Sequence, residues 1–198
     1  MHPKLHLPRR ESVSRPALDE EAWGRTDALL RRLPPREWTL LSDVDRRHGV
    51  EHVLVGPSGV FAIASHKPPG AGARVRDGVL WLRRERDTRA DRPGVAINRH
   101  VLDAARVLHR EIRTRTGRGP VVHPVVVLWC EFPQRVAESS RISFVHGRDL
   151  PAWLTHRARE LDEPGRAEIV QALHSIASPK AAVRHLPRLP HGPRRRAA

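Results

Sequence analysis

The sequence predicts an α/β fold, a sheet flanked by helices, on three observations. Ile97, Val101, Leu102, Ala105, Leu108 and Ile112 recur at the spacing of one helical face. Short β-prone runs on the N-terminal side of that helix are separated by Gly56-Pro57-Ser58-Gly59 and by Asp77-Gly78. On its C-terminal side, residues 121–130 form a near-continuous apolar run of the kind a strand shows when both its faces are covered. Strands before a long helix, then a buried strand and further helices, make a layered α/β domain.

Taken in order, residues 1–16 read as a flexible basic arm, with Pro3, Pro8 and Pro16 among Arg, Lys and His. Leu18, Ala22, Leu29, Leu30 and Leu33 then mark a helix whose first turn carries Asp19, Glu20 and Glu21 and which stops at Pro34-Pro35. A strand follows at 38–44. Strands at 52–55 and 60–65 join as a hairpin through the Gly-Pro-Ser-Gly turn. Residues 74–76 and 79–83 flank Asp77-Gly78, a dipeptide favoured in two-residue hairpin loops, and are expected to add a second ribbon to the sheet. The long helix ends at Gly117, Gly119 and Pro120, and His123-Pro124 predicts a kink or bulge in the apolar strand. A strand at 141–145 and helices at 149–159 and 164–177 complete one domain over 17–178. The Pro/Arg-rich residues 179–198 read as a disordered tail.

Composition narrows the function classes. Cys130 is the only cysteine, which excludes an intrachain disulfide and a cysteine metal cluster within one chain. Residues 1–10 carry no apolar stretch of signal-peptide length and no segment approaches the length of a membrane span, so a cytoplasmic protein without a membrane partner is expected. The formal charge of +14 points to a polyanionic partner, because cations placed on phosphates release counterions. Of the 36 Lys and Arg residues that carry the positive charge, all except Lys4, Lys67 and Lys180 are Arg, which a GC-rich coding bias also produces. With 4% aromatic residues and no Tyr, a stacking platform for single strands is disfavoured, and duplex DNA is the expected nucleic acid.

The run Val50-Glu51-His52-Val53-Leu54-Val55-Gly56-Pro57-Ser58-Gly59-Val60-Phe61-Ala62-Ile63 resembles the signature of the nuclease-related domain (NERD) family. In that family an acid followed by His opens a strand, a Gly-Pro-x-Gly turn follows, and the next strand ends in Glu-x-Lys. Leu29 to Leu33, the strand at 38–43, Gly70, Trp81 and the long helix before an apolar strand fall in the family's order, so the similarity spans about residues 17–157. The resemblance implies a restriction-endonuclease-like central mixed sheet flanked by helices. It also implies the chemistry of the PD-(D/E)xK group, in which two carboxylates hold Mg²⁺ and a Lys assists the attacking water. Glu51 stands where the family usually has Asp. Ala64 falls at the family's Glu position and His66 at its Lys position, while Trp23 stands where a helix Glu is usual.

The expected site is therefore a remnant, Glu51 with His66 and Lys67, not expected to function. The expected protein is catalytically inactive or weak and needs no cofactor. An active Mg²⁺-dependent nuclease would need a bulge to bring Lys67 round and an acid such as Asp43 beside Glu51 as a second ligand. A transition-metal site built from His48, His52 and His66 near Glu51 is disfavoured. Neighbouring strand residues face opposite ways, so one of Glu51 and His52 is expected at the surface or behind the site. Gly56 to Gly59 reads as a turn and not a nucleophile elbow, because a strand follows it. Cys130 reads as a buried structural thiol, and Gly70-Ala71-Gly72 as a connection. Arg99, Arg106, Arg110 and Arg113 lie off the apolar stripe of the long helix and are the candidate phosphate contacts. A protein-interaction module with an incidental basic surface is the third reading.

Overall fold

The computed structural model describes residues 17–45, 50–68, 71–84 and 92–176. The expected arm at 1–16, the tail at 179–198, His48 and Gly70 lie outside the described residues. Helix α1 (Ala17–Leu30) leads to β1 (Thr39–Asp45), β2 (Val50–Gly56), β3 (Gly59–His66), β4 (Ala71–Arg76), β5 (Val79–Arg84) and the short β6 (Arg92–Pro93). Helix α2 (Val95–Thr116) precedes β7 (Val122–Leu128), β8 (Val136–Glu138), β9 (Ser143–His146), α3 (Leu150–His156) and α4 (Glu163–Ile176).

Six strands form a mixed sheet in the order β1-β2-β3-β7-β9-β8. The β1-β2 and β2-β3 pairs are antiparallel, β3-β7 and β7-β9 are parallel, and β8 returns antiparallel to β9. This mixed sheet between helices is the restriction-endonuclease-like arrangement expected. The second ribbon does not join it: β4, β5 and β6 form a separate three-stranded sheet. The reason is topological, since the crossover through α2 lays β7 in parallel along the free edge of β3 and leaves no edge there for β4. Instead, the Ala73 amide donates to the Glu131 carbonyl at 2.7 Å. The Gln134 side chain both accepts from the Val75 amide and donates to its carbonyl, as a strand neighbour would.

The main sheet is covered on both faces. Leu41, Val53, Val55, Val60 and Ala62 pack against Ala104, Leu108 and Ile112 of α2 and Ile169 and Leu173 of α4. On the opposite face Leu54, Phe61, Ile63, Val125 and Val127 meet Leu30 of α1 and Leu150 and Leu154 of α3. The small sheet roofs a third cluster, with Ala73 and Leu80 over Ala64, Val126, Leu128 and Phe144.

Local chemistry explains the connections. Asp77 and Gly78 both have positive φ, 50° and 71°, the pairing that matches the twist of a two-residue hairpin. Gly56 has no room for a side chain, because a Cβ there would run into the Trp38 ring. Gly117 closes α2 in the left-handed conformation at φ 68°, its amide bonded to the Arg113 carbonyl. Contrary to expectation, His123 and Pro124 keep β7 in unbroken parallel register with Phe61 and Ala62 of β3. Pairing to β9 starts only at Val125, so the donor that Pro124 lacks faces no strand on that side.

Candidate functional site

The antiparallel register pairs His52 with Ile63, which sets Glu51 opposite Ala64 and on the same side of the strand pair. Glu51 is 4% exposed, and its Oε2 accepts the Ser65 amide at 3.3 Å. Its cross-strand neighbour on that face is the methyl group of Ala64, itself 9% exposed. His66 and Lys67 turn to α1. The His66 Nδ1 lies 2.6 Å from Asp19 Oδ1, and the Lys67 ammonium lies 2.5 Å from Glu21 Oε2. The bond from Lys67, with Arg25 nearby, holds the Glu21 carboxyl below its ordinary range. Asp43 is a β1 residue next to the irregularity between Ser42 and Asp45, and its side chain lies outside what is described.

His52 is fully buried as well, so of the two places expected for the second member of the Glu51-His52 pair the surface is excluded. Strand alternation does separate the two side chains. Because helices cover both faces of the sheet, each side chain enters a different interior.

His52 belongs to a polar network on the α1 face that the motif comparison did not reveal. Trp23, at the position of the family's helix Glu, stacks on the His52 ring at 5.6 Å between centroids with the planes 20° apart. The His52 Nε2 lies 3.5 Å from Asp27 Oδ1, at the outer limit of hydrogen-bonding distance. Asp27 also takes the Arg31 guanidinium at 2.5 and 3.0 Å and the Ser42 hydroxyl at 3.2 Å. The nearby imidazole, with Arg31 adding to it, holds the Asp27 carboxyl well below the usual carboxylate range against the opposing effect of burial.

Beside this cluster, the fully buried Thr26 hydroxyl donates to the Ala22 carbonyl at 2.9 Å. It accepts from the Ser65 hydroxyl and the Trp129 indole, each at 2.8 Å, which fills its hydrogen-bonding capacity. The signal for this network lay in helix spacing: Trp23, Thr26, Asp27 and Leu30 fall on one face at i, i+3, i+4 and i+7.

The Gly-Pro-Ser-Gly turn is a fastening point. Ser58 is buried and donates to the Leu154 carbonyl of α3 at 2.9 Å, and the Pro57 carbonyl accepts the amides of Glu160 and Leu161. Cys130 is half-buried, and its thiol is pushed up to about 11 by burial and by the adjacent Glu131 carboxylate.

On α2, Arg99, Arg106, Arg110 and Arg113 are all exposed, on the side away from Val101, Ala104, Ala105, Leu108 and Ile112. Arg106 is paired with Asp103 at 3.0 Å. The other three have no carboxylate partner among the described residues.

An acid-His strand, a Gly-Pro-x-Gly hairpin and a parallel strand reached through a long helix define an α/β domain of the nuclease-related type. The family model described as nuclease-related domain matches residues 19–129, and the chain belongs to that family. Comparison with curated proteins and with solved structures returned no match.

Proposed function

We propose that this nuclease-related domain does not cut nucleic acid by the metal-dependent route and instead grips duplex DNA on the outer face of α2. One observation carries the first half. Glu51, enclosed and engaged with the Ser65 amide, has an alanine methyl where a second carboxylate would stand. Mg²⁺ takes oxygen ligands in a near-octahedral shell and keeps several waters, which a single enclosed carboxylate does not provide. Among the described residues no group of three His, Cys, Asp or Glu side chains is placed to hold a metal ion. The donor set among the described residues therefore does not fit the family's cation. The Lys67 amine, which an active site would need near the attacked phosphate, is engaged by Glu21.

The second half is supported by the four Arg of α2. They project from one side of a rigid helix, with about 1.5 Å of rise per residue, into solvent and away from the core.

The test is a paired assay on the full chain. Incubation with plasmid and linear duplex in Mg²⁺ or Mn²⁺ is expected to give no cleavage, while a labelled duplex binds with a steep salt dependence. Replacing all four Arg by Ala should lower the salt slope by up to about 0.9 per lost phosphate contact. Metal-dependent cleavage that disappears in Glu51→Ala would establish an active nuclease with Asp43 or another acid as second ligand. Absence of both binding and cleavage would leave a protein-interaction module.

A further inference from the structure

Strand register in the small sheet separates two faces. Ala73, Val75, Leu80 and Leu82 turn inward to the third core cluster. The alternate residues turn outward: Gly72, Arg74 and Arg76 on β4, and Val79, Trp81 and Arg83 on β5. Arg74 lies directly opposite Trp81, and Pro93 of β6 flanks Trp81 on its other side. An indole on the central strand is thus set among exposed guanidiniums, with Arg74 and Arg76 about 6.8 Å apart along β4.

Trp81 differs from the other four tryptophans. Trp23 stacks on His52, Trp38 packs on Phe61, Trp129 lies under Arg25 and Trp153 under Arg157. Trp81 is half-buried and has no ring, cation–π or indole hydrogen-bond partner among the described residues. Beside it, the bare Gly72 opposite Arg83 leaves a hollow of about 180 Å³, lined by Gly72, Ala73, Arg74, Arg83, Glu131 and Pro133. Glu131 reaches Arg83 across this hollow at 3.3 Å, with both side chains about two-thirds exposed, so the pair is weak and open to exchange.

We infer that this outer face is a binding site for a single strand of nucleic acid, in which an unpaired base stacks on Trp81 and phosphates engage Arg74, Arg76 and Arg83. A flat sheet face with one central aromatic accepts any base, because every base has a π-face, and the surrounding cations follow the backbone. A duplex keeps its bases stacked on each other and has none to offer the indole. The composition, poor in aromatics, argued against such a platform; the register places one of the few aromatics where it serves. This site is separate from the α2 surface and shares with the proposed function only the class of partner.

The experiment measures fluorescence anisotropy of the full chain with a labelled oligothymidylate of about 12 nucleotides and with a duplex. Trp81→Ala is expected to weaken oligothymidylate binding by about 5- to 150-fold, and Trp81→Phe to retain most of it. Arg74→Ala with Arg76→Ala should reduce the salt slope by about 0.7 per lost contact. Glu131→Gln should tighten binding, because it removes the carboxylate that competes with phosphate for Arg83; a purely structural role for Glu131 does not predict a gain. If Trp81→Ala fails to fold, the exposed Arg pair and Glu131→Gln decide the matter. Unchanged oligothymidylate affinity in these variants overturns the inference, as does equal displacement by polyglutamate, which would mark the face as a site for acidic peptides. Loss of duplex binding in the α2 Arg variants, with the β4–β5 variants unaffected on both probes, removes this site and leaves the α2 reading in place. The reverse pattern does the opposite.

Discussion

Replacing Thr26 by Val, a near-isosteric change, tests whether the saturated hydroxyl of α1 joins helix to sheet. It removes the acceptor used by two donors, the buried Ser65 hydroxyl and the Trp129 indole, and leaves the shape of the core almost unchanged. A buried donor left unpaired costs about 1–3 kcal/mol. Ser65 is enclosed and should incur that cost in full, whereas half-buried Trp129 can recruit water, so the total expected is about 2–4 kcal/mol. Urea unfolding followed by far-UV circular dichroism measures it without depending on tryptophan emission. The pair Thr26→Val/Ser65→Ala should recover about 1–2 kcal/mol relative to Thr26→Val alone, because the orphaned hydroxyl is gone. A single variant within about 0.5 kcal/mol of the parent, or a pair no more stable than the single, would refute the idea that this hydroxyl joins α1 to β3 and to Trp129 just past β7.

Asp27 makes stability depend on acid. Its folded pKa lies below the ordinary value of 3.8 because of His52 and Arg31, so its contribution is complete above that range and is lost as pH falls through it toward the lower folded value. Asp27→Asn should flatten the stability curve between about pH 5 and 2, as read by urea midpoints. Cys130, with its thiol near 11, should react slowly with iodoacetamide at neutral pH and much faster as pH approaches that value; rapid alkylation at pH 7 would contradict the burial argument. Gly56→Ala forces a methyl into the Trp38 ring and should cost about 1–3 kcal/mol or more in thermal or urea unfolding, whereas Gly24→Ala, where nothing lies within 4 Å, should not destabilise.

Elements with a strong local signal were legible in the sequence. The apolar stripe of α2, the Asp77-Gly78 hairpin and the apolar β7 occur where periodicity and turn chemistry place them, because each is decided within a dozen neighbouring residues. The separation of β4–β6 from the main sheet was not legible, since it depends on β7 reaching the β3 edge, a pairing between residues far apart in the chain, such as Val60 and Val122. Pro124 misled for a similar reason, because where a strand tolerates proline depends on which partner lies alongside it. The alternation rule correctly divided Glu51 from His52, and the two-sided cover expected of the sheet gives each an interior to enter; what one sequence does not reveal is which partners line it, Trp23 and Asp27 in the case of His52.

The same two-sidedness explains how the family signature persists around an altered site. Gly56, Pro57 and Ser58 hold Trp38, the segment at 160–161 and α3, so substitutions there would disturb packing. Ala64 sits beneath the small sheet in an apolar cluster, where a methyl group packs without needing a metal, and His66 finds Asp19 on α1. The positions that differ from the family pattern are therefore those whose replacements find partners within the fold itself. The same physical reasoning predicts that Ala64→Glu, intended to restore the second carboxylate, would destabilise the chain unless a divalent ion were added: it places a charge among Ala73, Leu80 and Phe144 and opposite Glu51, of the same sign, across the strand pair. A melting temperature of Ala64→Glu that rises on adding Mg²⁺ or Mn²⁺ would show that the cation cradle survives in outline; one that stays low in either ion would show that the surrounding packing has closed over it.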